Sequence, residues 1–64
     1  MKKIIILIPV FNDWESLVKL LNEINNSIQG IEKCQFNCIV INDSSTVSQP
    51  QISKPSNIES LKII

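Results

Sequence analysis

The chain reads as blocks of apolar residues broken by short polar loops. The first block, Ile4 to Ile8, is an unbroken β-branched and leucine run that meets Pro9 and turns polar at Asn12-Asp13. A run without alternation suits a strand covered on both faces, as in parallel sheets. Proline has no N–H to give to a ladder, so the strand is expected to end there, over about residues 3–9. Trp14, Leu17, Val18, Leu21, Ile24 and Ile28 then recur at spacings of three and four, which puts them on one helical face, with Leu20 widening the stripe. Asn12 followed by Glu15 three residues on is a capping-box pattern. Gly30 stands just past the end, where a left-handed residue commonly stops a helix. The period predicts a helix over about residues 13–28. After a polar connector, Ile31 to Gln35, the run FNCIVI predicts a second strand over about residues 36–42. Five turn formers, Asn42-Asp43-Ser44-Ser45-Thr46, break it. Pro50 and Pro55 make residues 47–57 a loop rather than a long helix, and a third strand begins at about residues 60–64.

Strand, helix, strand at this spacing is a βαβ unit, whose crossover is right-handed in nearly all cases, so the two strands run parallel. Their carboxyl-end loops, residues 9–13 and 42–46, then open on one sheet edge. That is where ligands sit in α/β sheets.

Sixty-four residues make at most one small domain. A chain this short buries only about 60% of its unfolded surface and is marginal alone. Six basic residues balance six acidic ones, and histidine is absent. There is no electrostatic footprint for nucleic acid, and the commonest general base at neutral pH is missing. Cys34 and Cys38 have neither histidine nor further cysteine beside them. They fit a zinc site, which wants four ligands, poorly. Cys38 reads instead as a small buried hydrophobe, without need of a disulfide, and a reducing cytoplasm fits. The opening MKK followed by an apolar run mimics a signal peptide. Pro9 interrupts that run, and Asn12-Asp13 stand where small residues should mark cleavage. The run is also far below the roughly 18 residues that span a bilayer.

The chemistry-bearing residues gather in the two loops. Asp43, at a strand end, can accept a hydrogen bond from the imide N–H of uracil or from the guanine edge. It can equally be a turn-forming Asx. Phe11 offers a flat face for a base, or a core anchor under the helix. Asp13 beside the helix start is favoured by the helix dipole and can be structural. Ser44, Ser45 and Thr46 read as turn residues rather than nucleophiles, with no partner base to activate them.

At these residues the chain resembles a known family. IIILIPVFNDWESLVKLL is similar to the opening of family 2 glycosyltransferases, an apolar strand, P-x-Y-N-E, then a helix. CIVINDSST is similar to that family's second signature, an apolar strand ending in V-D-D-x-S. The separation of the two signatures matches as well, and the connector, ending in Gln29-Gly30, is like that of dolichyl-phosphate mannose synthase-like members. The resemblance covers about residues 3–46. It implies a Rossmann-like GT-A nucleotide-binding sheet, incomplete here, as a partial nucleotide-sugar-binding domain over residues 1–64. It implies nucleotide-sugar contacts at Pro9, Phe11, Asp13, Ile41 and Asp43. Phe11 stands for the usual tyrosine, Asp13 for glutamate, Asn42 for the first aspartate of the second signature, and Ser44 where a small residue is common. The implied partner is a UDP- or GDP-linked sugar. The family's divalent cation (Mg or Mn) is held by a later aspartate pair, and its general base and acceptor half lie later still, all beyond residue 64. The expectation is therefore an N-terminal part, inactive alone, in the cytoplasm or at the cytoplasmic face of a membrane in a longer parent chain. The alternative expectation is a truncated remnant, or a non-catalytic small α/β interaction module that self-associates through an open sheet edge at Ile63-Ile64.

Overall fold

In a computed structural model, which describes residues 1–43 and 45–64, the chain is a small α/β unit. Its elements are β1 (Lys2–Val10), α1 (Trp14–Ser27), β2 (Cys34–Asn42) and β3 (Ser60–Ile63). The three strands form one open parallel sheet in the order β1-β2-β3. Val10 pairs with Asn42 at the carboxyl end of the β1–β2 ladder, and Val40 with Ile63 in the β2–β3 ladder. Among the described residues no helix is long and apolar enough to cross a membrane.

The core lies on one side of this sheet. Ile8, Val10, Cys38 and Val40 point into it and meet Trp14, Leu17, Leu21 and Ile28 of the helical segment. Ile58 and Ile52, from the connection between β2 and β3, join the same cluster. That connection runs alongside the helix: the backbone N–H of Asn57 donates to Asn25 Oδ1 at 2.7 Å, and Asn57 Nδ2 donates to the Asn25 carbonyl at 2.9 Å. Lys54 Nζ donates to the Ile58 carbonyl at 2.7 Å and closes the turn that delivers Ile58.

Four expectations are corrected. The first strand is covered on one face only: Ile5 and Leu7 stay 59% and 61% exposed, and Ile41 on β2 is exposed beside them. A strand order that advances one way, with right-handed crossovers, brings both connections to the same side and leaves the other side bare. Pro9 does not end β1 but lies within it, paired in register with Ile41. Its neighbour Val10 turns its carbonyl to β2, accepting from the Asp43 N–H at 2.8 Å. Backbone groups of successive residues point to opposite sides of a strand, so the N–H that proline lacks falls on the open edge, where its loss costs no ladder bond. Val18 and Leu20 are exposed and flank the helical stripe instead of belonging to its buried part. The helix cap is shifted by one residue, from Asn12 to Asp13.

The other boundaries fall close to the pattern. Gly30 takes φ +86° just after the helix, the left-handed conformation glycine enters freely. Residues 43–59 contain no helix among the described positions.

Candidate functional site

Two loops meet at the carboxyl edge of β1 and β2. The parallel register continues one residue past the strands through the bond from the Asp43 N–H to the Val10 carbonyl. Phe11 and Asp43 are therefore neighbours on the same edge. Phe11 is 60% exposed, so it is not a core anchor, and Asp43 is exposed as well. Ser44 lies outside the described residues, so its standing as a small loop residue is left to the sequence alone.

Asp13 is the N-cap of α1, its side chain accepting from the Ser16 N–H at 3.2 Å. The cap falls here because the side chain of Asn12 is used elsewhere. Asn12 Oδ1 accepts from the backbone N–H groups of Thr46 at 2.7 Å and Val47 at 2.9 Å. The Asn12 N–H donates to Ser45 Oγ at 2.8 Å, and Asn12 Nδ2 donates to Thr46 Oγ1 at 3.2 Å. Asn42 Oδ1 accepts from the Ser45 N–H at 3.1 Å. Asn12 has φ +60° and is alone in this among the described non-glycine residues. Asparagine is one of the few side chains that tolerate that region.

A cavity of about 150 Å³ lies where the edge of β1 meets the start of α1, with Pro9, Phe11, Asp13, Ser16, Leu17 and Leu20 in its lining. Three of the five expected contact residues thus share one hollow. Ile41 and Asp43 do not line it; Ile41 belongs to the bare face of the sheet, and Asp43 is tied through its N–H to the Val10 carbonyl, one residue before Phe11. The hollow is smaller than the roughly 300 Å³ at which pockets for drug-sized ligands begin. It can hold part of a ligand draped over the edge, not enclose one.

Among the described residues no group of three or more His, Cys, Asp or Glu could hold a metal ion. The resemblance places the cation on a later aspartate pair and not on the residues of this edge. Cys34 and Cys38 are both free thiols. Burial in the core pushes the Cys38 thiol up from its ordinary value, which keeps it neutral and unreactive at pH 7. The indole Nε1 of Trp14 is the one buried side-chain polar atom without a partner among the described residues.

The sequence reading missed Asn12 as the tie between the loops. Its signal was present in a weak form: an asparagine just after a strand, next to a second residue equally able to cap the helix. Compared with family models, curated proteins and solved structures, the chain matches none.

Proposed function

We propose that this chain is the nucleotide-binding part of a glycosyltransferase of the family 2 kind, holding the base of a UDP- or GDP-linked sugar at the carboxyl edge of β1 and β2. The observation that carries the reading is that two exposed residues, Phe11 and Asp43, directly follow paired ends of β1 and β2 on one edge of a parallel sheet, where the Asp43 N–H donates to the Val10 carbonyl. The ring supplies a stacking face. The carboxylate accepts the imide N–H of uracil or the N–H edge of guanine in a charge-assisted bond. Asp13 has a structural role, capping the helix start through Oδ1. Transfer itself needs a countercharge for the leaving diphosphate and a base for the acceptor hydroxyl. The resemblance assigns both to other segments of the family, so the role proposed for this edge is to bind the donor and not to carry out transfer.

The test is titration of the chain with UDP and with GDP, followed by amide shifts in NMR, in wild type and Asp43→Ala. Hydrogen bonds to charged groups are worth about 1.5–3 kcal/mol, so the variant should bind about ten- to a hundredfold more weakly. Equal binding by the two proteins removes Asp43 as the base reader.

A second reading, an interaction module, is favoured by the bare face and the two open strand edges. Ile5, Leu7 and Ile41 stand exposed together on that face, and among the described residues β3 has no neighbour on its outer side. Sedimentation at rising concentration separates the two readings: a monomer throughout disfavours self-association, and a dimer that Leu7→Glu dissolves supports it.

A further inference from the structure

We propose that Asn12 is the positioning residue of this rim: it clamps the segment after β2 onto the loop after β1, so that Asp43 is held beside Phe11 before a ligand arrives. The proposal deepens the nucleotide reading and rests on it for the identity of the ligand, but the clamp itself stands on geometry alone.

The bonds of Asn12 join residues 33 to 35 positions away in the chain. Its carboxamide oxygen takes two consecutive backbone N–H groups, those of Thr46 and Val47, and its nitrogen reaches the Thr46 hydroxyl. Its own N–H is taken by Ser45 Oγ. Asp43 is thereby pinned on both sides: before it by the bond from its N–H to the Val10 carbonyl, and after it by the clamp on residues 45–47. The side chain can reach these groups because the backbone turns at φ +60°, which aims it across the edge instead of along the helix. The helix does not need it, since Asp13 does the capping. What remains for the Asn12 carboxamide is to join two segments whose other side-chain link at this edge, among the described residues, is Ser45 Oγ on the Asn12 N–H. A rim preformed in this way spares a ligand the entropy of ordering the loop, which is how preorganisation raises affinity.

The side chain and the backbone turn can be separated by substitution. Asn12→Gly adopts positive φ without strain but has no carboxamide. Asn12→Asp keeps an acceptor oxygen for the two N–H groups. The experiment is amide hydrogen exchange by NMR on the full chain without ligand, followed by UDP and GDP titration of the same samples. In Asn12→Gly, exchange at Thr46 and Val47 should rise about tenfold or more, while the amides of Leu21 in α1 and Val40 in β2 keep their wild-type rates. Asn12→Asp should restore slow exchange at both positions. Nucleotide affinity should fall about tenfold in Asn12→Gly and return toward wild type in Asn12→Asp. Unchanged exchange at Thr46 and Val47 in Asn12→Gly overturns the clamp. Faster exchange with undiminished affinity overturns its positioning role. If the wild type binds neither nucleotide, the nucleotide reading falls and the exchange rates still decide the clamp.

Discussion

The two faces of one sheet have opposite fates in this molecule, although β1 is built from nearly the same residues on both. Ile8 and Val10 are buried under α1, while Ile5 and Leu7, one step along the same strand, stay more than half exposed. Hydrophobicity does not distinguish them. The difference lies in the connections. Strand order β1-β2-β3 advances one way, so α1 and the 43–59 segment both cross on one side and pool Leu21, Ile58 and Ile52 into a single cluster. A strand rich in isoleucine tells that both of its faces are suited to burial. Which face is buried is decided by where the rest of the chain passes.

Substitutions on the two faces break or sharpen this contrast. The largest effect is expected from Leu21→Ala. Leu21 is 1% exposed at the centre of the covered face, and truncations of this kind cost about 2–5 kcal/mol, enough to unfold a domain this small. Leu7→Ala on the bare face should stay within about 0.5 kcal/mol of wild type. Urea denaturation of both variants measures the contrast, and a large loss in Leu7→Ala would mean that a second molecule covers the bare face.

Next in size is Asp13→Ala, which removes the N-cap of the helix that shields the covered face and should cost about 1 kcal/mol. The same melts detect it. A capping role shared with Asn12 would make the loss smaller and overturn the shift of the cap to Asp13.

Burial of Cys38 gives the contrast a pH dependence. Its thiol is raised by desolvation, so the folded state holds the proton more tightly than the unfolded chain does. Stability is therefore unaffected below the ordinary thiol pKa of about 8.5 and falls as pH rises above it. Mass spectrometry after maleimide labelling at pH 7 should find Cys34 modified well before Cys38, and equal rates would contradict the buried position of Cys38.

The smallest effect is expected at Trp14. Its indole N–H is buried without a partner among the described residues, so Trp14→Phe loses some packing but also removes an unsatisfied donor that costs about 1–3 kcal/mol. The net change in the melting midpoint should be small, and a large loss would point to a hydrogen bond made by Nε1.

Much of this architecture could be read along the chain. The apolar run from Ile4, the three-and-four spacing from Trp14 to Ile28 and the FNCIVI block are each long enough to outweigh local competition, and all three elements stand where the pattern puts them. The parallel pairing that makes Phe11 and Asp43 neighbours followed from the length of the crossover. Local competition was undecided where two adjacent residues can do one job. Asn12 and Asp13 are both good caps, and the choice fell to Asp13 only because residues 45–47 fold back and take the Asn12 side chain. Pro9 reads as a strand end from its missing N–H, yet it sits inside β1 because that strand is an edge.

Periodicity and turn chemistry act over a few residues, and they determined the elements, their order and the loops that carry the polar groups. Contacts between positions more than thirty apart carry no such signature. Which sheet face is covered, which residue caps the helix and what holds the two loops together were decided only when the chain closed on itself, because each depends on where a distant backbone comes to rest.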